Sequence, residues 1–69
     1  MNISARNMLK GKVKQVNPGA VNTEVVIELP GGSEIVSIIT RTSAEKLGLA
    51  VGKEAYAIIK ATNVIIGTG

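Results

Sequence analysis

Apolar and polar residues alternate from Met8 to Val16, placing Leu9, Gly11 and Val13 on one side and Lys10, Lys12 and Lys14 on the other. A repeat of two is that of a strand with one buried face. Asn17-Pro18-Gly19 predicts the end of this run, because proline presets φ and glycine accepts positive φ. A second run starts at Val21, with Val21, Thr23, Val25, Ile27 and Leu29 on a common face. Pro30-Gly31-Gly32 is a turn signal and Glu34 to Thr40 a third run, so residues 20–40 predict a β-hairpin. Thr42-Ser43-Ala44-Glu45 has the form of a capping box, Lys46-Leu47 continue a helical turn, and Gly48 sits where a C-terminal glycine cap belongs. Beyond the turn at Val51-Gly52-Lys53, Glu54 to Lys60 predicts a fourth strand and Val64 to Ile66 a fifth, before a terminal Gly67-Thr68-Gly69 that frays.

Five short strands with one short helix between the third and fourth predict an all-β fold, a small OB-like Greek-key barrel occupying residues 1–69 as a single domain. Val25-Val26-Ile27, Ile35-Val36, Ile38-Ile39, Ile58-Ile59 and Val64-Ile65-Ile66 are apolar on both strand faces, more than a barrel with a watered exterior needs. Two readings account for this surplus, imperfect patterning in a small barrel or a subunit interface, and the interface is preferred. Size points the same way, since a chain this short buries only about 60% of its unfolded surface. With no cysteine and no histidine, neither disulfides nor the commonest transition-metal ligands reinforce it, and direct metal ligation is not expected. Oligomerisation is the remaining ordinary route to stability. No apolar run reaches the roughly 20 residues of a membrane-spanning helix. Met1-Asn2-Ile3-Ser4 lacks the basic and apolar regions of a signal peptide, so the expectation is a cytoplasmic protein without membrane contact.

The net charge of +3 favours anionic partners, small anions and nucleic acid alike. Lys10, Lys12 and Lys14 could follow a phosphate backbone, or they could protect an edge strand from sheet-to-sheet association. With Tyr56 the only aromatic residue, single-stranded nucleic acid loses its main stacking contribution. Catalysis is poorly supplied: there is no His, Cys or Asp, no nucleophile–base pair suggests itself, and Glu24 and Glu28 fit a solvated sheet face. No enzyme is expected. Donors of complementary kinds instead gather in Ser4-Ala5-Arg6-Asn7, in Thr42-Ser43, and in Lys60-Ala61-Thr62-Asn63. A deprotonated tetrahedral oxyanion only accepts hydrogen bonds, and a guanidinium fork, an ammonium, hydroxyls and backbone N–H groups are what it needs. Each segment also has a purely structural reading, with Thr42 as a helix cap, Ser4 and Asn7 in a turn, and Lys60 at a strand end in solvent.

Ile3-Ser4-Ala5-Arg6-Asn7, Leu9-Lys10-Gly11, Ser37-Ile38-Ile39-Thr40 and Ile59-Lys60-Ala61-Thr62-Asn63-Val64 together resemble the molbindin pattern, that of the Mop family with its single TOBE/Mop domain. The similarity spans nearly the whole chain. It implies a free-standing binding protein rather than the molybdate-responsive regulators or importer ATPases that carry related domains. It further implies a homo-oligomer, a hexamer built as a trimer of dimers, that stores molybdate or tungstate in pockets at subunit contacts. Carried over by resemblance, the oxyanion ligands are Ser4, Ala5 and Arg6 from one subunit with Lys60, Ala61 and Ser43 from a neighbour, flanked by Asn7 and Thr62. Some relatives have serine directly after the lysine; Ala61 leaves only a backbone N–H there. A small nucleic-acid-binding barrel is the alternative.

Overall fold

The computed structural model describes residues 3–69 and contains four strands, a short helix and a 3₁₀ turn: β1 (Asn7–Pro18), β2 (Asn22–Glu28), β3 (Glu34–Thr40), α1 (Arg41–Leu47), β4 (Glu54–Ile59) and the turn Ala61–Asn63. The strands form one antiparallel sheet in the order β3-β2-β1-β4. Three consecutive strands and a fourth that returns beside the first make a Greek key. The returning connection contains α1.

The predicted fifth strand is corrected. Val64 follows the 3₁₀ turn with extended dihedrals (φ −92°, ψ 123°), but residues 64–69 join no ladder, and Ile65 and Ile66 are 94% and 82% exposed. An apolar, β-branched sequence becomes a strand only where an edge receives it, and this chain does not bring its own tail to one. The sheet therefore curls without closing. Between the outer edges of β3 and β4 lies a cleft of about 480 Å³ lined by Ile35, Val36 and Ser37 on one side and Tyr56, Ile58 and Ile59 on the other.

β1 runs through Asn17 and Pro18 rather than ending before them, Pro18 standing opposite Thr23. Its pairing shifts by one residue between Val13 and Gln15, a bulge that turns Lys14 outward and sets Val16 opposite Val25. That shift explains why Val16 packs on the core where strict alternation from Val13 would have placed Gln15. Val13, Val25, Ile27 and Ala57 form the buried centre, with Leu29, Ile35, Ile39 and Leu49 packed around it. Thr23, on the same face, is 1% exposed, while Val21 lies outside the sheet and is exposed.

The helix begins earlier than the capping-box motif suggests. Thr40 is the N-cap and its Oγ1 accepts from the Ser43 backbone N–H at 3.0 Å, so Thr42 lies inside the helix. Thr40 ends β3 with extended dihedrals, the conformation an N-cap requires, whereas Thr42 is already helical. Gly48 closes the helix in the left-handed conformation at φ 63°, as its position predicts. Lys53 Nζ donates to the carbonyls of Leu47 (2.9 Å) and Gly48 (3.1 Å), which binds the helix end to the start of β4. Lys60 lies just outside β4, as the N-cap of the 3₁₀ turn.

Candidate functional site

The β1–β4 ladder brings two of the donor segments together. Its outermost pair is Asn7 opposite Ile59, reinforced by a hydrogen bond from Asn7 Nδ2 to the Ile59 carbonyl at 3.3 Å. The next residue outward on each strand is Arg6 on one side and Lys60 on the other. Ser4-Ala5-Arg6 and Lys60-Ala61-Thr62 thus leave the same corner of the sheet, in one chain. The resemblance assigned these segments to neighbouring subunits; the register places them side by side in each one.

Every polar side chain at this corner is a donor or can act as one. Arg6 and Lys60 are exposed, and among the described residues neither joins an ion pair, whereas Lys10, Lys14 and Arg41 all do. An anion at this corner would supply the opposite charge that neither cation finds among the described residues. The 3₁₀ turn donates Asn63 N–H to the Lys60 carbonyl at 2.9 Å. Its first N–H groups, those of Ala61 and Thr62, have no acceptor within the turn itself. The Thr62 hydroxyl is exposed, as is that of Ser4. Asn7 is half-buried and its amide is spent on Ile59, so it positions the corner rather than offering a first donor.

Ser43 stands elsewhere. Its helix starts where Arg41 N–H donates to the Val21 carbonyl at 2.9 Å, beside the β1–β2 turn and at the opposite end of β1 from Asn7. The Ser43 oxygen accepts a hydrogen bond from Thr40 Oγ1 at 2.8 Å, leaving its own proton to donate. Ser43 can therefore meet Arg6 and Lys60 only if it comes from another copy.

Charge is organised differently on the outer face of β1. The edge-strand reading of the lysine stripe is narrowed: β1 lies between β2 and β4 in the sheet order, but it pairs with β4 over Asn7–Lys12 and with β2 over Lys12–Pro18, so Lys12 alone has ladder partners on both sides. Lys10 pairs with Glu54 at 3.3 Å, and Lys14 with Glu28 at 3.6 Å and with Glu34. Glu34, by hydrogen bond and charge, and Glu28, by charge, hold the Lys14 ammonium above its ordinary pKa. Two of the three lysines are thus matched by carboxylates on neighbouring strands, which removes most of the positive stripe that a phosphate backbone would follow. Glu24 accepts from Asn17 Nδ2 at 3.1 Å, so Glu24 and Glu28 do not act as a carboxylate pair. No cluster of three or more acidic, His or Cys ligands suited to a bare metal ion exists among the described residues.

The seam between β3 and β4 is the feature sequence reasoning missed. Its signal was present in the surplus apolar positions Val36 and Ile58, which line the seam and are 60% and 44% exposed.

Comparison with known proteins is consistent along the whole chain. A probable molybdenum-pterin-binding protein of Haemophilus influenzae is 52% identical over 67 residues, covering 97% of both chains. The structure of MopII from Clostridium pasteurianum superposes with a TM-score of 0.91 at 49% identity, covering 97% of this chain and all of that one. The cytoplasmic molybdate-binding protein ModG, in a form with molybdate bound, superposes with a TM-score of 0.96 at 49% identity, covering this whole chain and 49% of ModG. The TOBE domain matches residues 3–66, and the chain belongs to the TOBE domain family and, within it, to the molybdenum-pterin-binding (Mop) proteins.

Proposed function

We propose that this protein binds molybdate or tungstate and stores it in the cytoplasm, as a non-catalytic homo-oligomer whose anion pockets lie at subunit contacts. The carrying observation is the β1–β4 register, which brings Arg6 and Lys60 to one corner together with the N–H groups of Ala61 and Thr62, which have no acceptor within their own turn. ModG, described as a cytoplasmic molybdate-binding protein, shares the fold at close to half identity, and this supports the choice of anion.

The chemistry of the corner predicts selectivity. Molybdate and tungstate are dianions of nearly equal size, and an all-donor site treats them alike. Sulfate is smaller and leaves donors underused, and partly protonated phosphate brings a proton that such a site cannot accept. On a lone chain these donors stand at an open corner, where water screens them. A neighbouring copy that covers the corner and supplies Ser43 would dry the pocket and strengthen each charge-assisted bond. The open β3–β4 seam and the exposed tail Val64–Ile66 favour such assembly, because each presents apolar surface and unpaired backbone that the other can cover. A hexamer arranged as a trimer of dimers is the proposed form.

Calorimetric titration of molybdate into anion-free protein, repeated in excess sulfate, tests this reading. Saturable binding that survives sulfate and is lost in Arg6→Ala and Lys60→Ala supports it. Heat abolished by sulfate, or binding unchanged in both variants, overturns the anion or the site respectively.

A further inference from the structure

Lys60–Asn63 connects the corner where β1 and β4 end to the unpaired tail Val64–Ile66. On one side it carries the cation and N–H groups of the proposed anion site; on the other it launches Val64–Ile66, which leaves the turn already extended yet pairs with nothing in its own chain. The turn is short, with Asn63 N–H bonded to Lys60 O at 2.9 Å and Val64 N–H to Ala61 O at 3.3 Å, so its orientation dictates the direction of the tail. A strand-forming tail and an apolar seam bordered by two unpaired strand edges are complementary, and the seam stands empty of its own tail. The tail of a second copy fits there by backbone pairing and by the apolar character of Val64, Ile65 and Ile66.

We infer that oxyanion binding and the hold of one subunit on another are thermodynamically linked through the Lys60–Asn63 turn; this rests on the proposed oxyanion-binding function. An anion that gathers Lys60 and the Ala61 and Thr62 N–H groups narrows the orientations of the turn. It thereby holds the tail in the direction from which it reaches the partner's seam. Linkage is reciprocal: whatever factor the anion adds to subunit association, association adds to anion affinity.

Subunit exchange reads this directly. Unlabelled and ¹⁵N-labelled wild-type protein are mixed, and mixed oligomers are followed by native mass spectrometry in molybdate or in sulfate of equal ionic strength. Saturating molybdate is expected to slow mixing on the order of tenfold, within the usual range of allosteric coupling. Ile65→Ser, which alters the tail and no anion donor, is expected to weaken molybdate affinity by a comparable factor. Wild-type protein that binds molybdate yet mixes equally fast in both salts overturns the linkage and leaves oxyanion binding standing. Wild-type protein that does not bind molybdate overturns the proposed function, and the linkage with it.

Discussion

Asn7 stands opposite Ile59 at the end of the β1–β4 ladder, and its side-chain amide donates to the Ile59 carbonyl at 3.3 Å. The contact pins together the two strand ends from which Arg6 and Lys60 emerge. Asn7→Ala is expected to cost about 1 kcal/mol of stability, the ordinary worth of one hydrogen bond. It should weaken molybdate binding several-fold by loosening the corner while leaving both cations in place. Chemical denaturation and calorimetry measure the two effects. Asn7→Asp should bind far more weakly than Asn7→Ala, since it adds a carboxylate beside a site for anions.

Ala61 offers the corner a backbone N–H and no hydroxyl. Ala61→Ser places a further donor on the first residue of the 3₁₀ turn, where the side chain is exposed. Molybdate affinity is expected to rise by roughly tenfold at most, the worth of one added hydrogen bond, with unchanged stability. Titration of the variant beside the parent checks this. An unchanged affinity would place the Ala61 side chain outside the pocket.

Thr40 and Thr42 make a paired test of the helix start. Thr40 Oγ1 accepts from Ser43 N–H, so Thr40→Ala should lower stability by about 1 kcal/mol. Thr42, exposed in the first turn, should be nearly neutral when changed to Ala. The reverse ranking of denaturation midpoints would restore Thr42 as the cap.

Much of this architecture can be read from the residues, and the failures have a common origin. The three predicted strands from Met8 to Thr40, the helix stop at Gly48 and the start of β4 at Glu54 all follow from local signals, namely alternation, glycine turns and a left-handed cap. What escapes is decided by partners distant in sequence. The bulge after Val13 arises where the Val13 N–H turns to the Lys53 carbonyl and the Gly52 N–H to Val13 O, 39 or more positions away. The central place of β1 depends on β4 returning to it, and the lysines that alternation shows meet glutamates that only the sheet order reveals. Arg6 and Lys60 were identified as donors by residue type and resemblance, but their adjacency needed the register. Val64–Ile66 has the composition of a strand and no edge of its own to join.

Lys14 predicts a dependence of stability on pH at the alkaline end. Its ammonium is held above the ordinary lysine pKa by Glu34 first and by Glu28. A folded-state value above the unfolded one means that this contribution is present in full at neutral pH. It is lost as pH rises through the ordinary lysine range and past the raised value. Denaturation midpoints of the wild type should therefore fall over that window, and Glu34→Gln should flatten the fall. Because the pair is exposed, high salt should diminish the difference between the two proteins.

Gly11 lies in β1 where the strand presses against β2, and it is buried. A Cβ added there would fall on the Glu28 carbonyl oxygen and within 2.7 Å of Ile27 Cγ2. The obstruction is backbone on one side and core on the other, so a rotamer change cannot relieve it. Gly11→Ala is expected to destabilise the fold by about 3 kcal/mol, the upper part of the range for overpacking. That would be a large fraction of the stability of so small a domain. The neighbouring exposed glycines provide the contrast, since at Gly31, Gly32 and Gly52 a Cβ would meet nothing within 4 Å and only the positive φ opposes it. Each of those changed to Ala should cost about 1 kcal/mol from the backbone alone. If Gly11→Ala proved no more harmful than Gly31→Ala in denaturant, the close approach of β1 to β2 would not be the reason for glycine at this position.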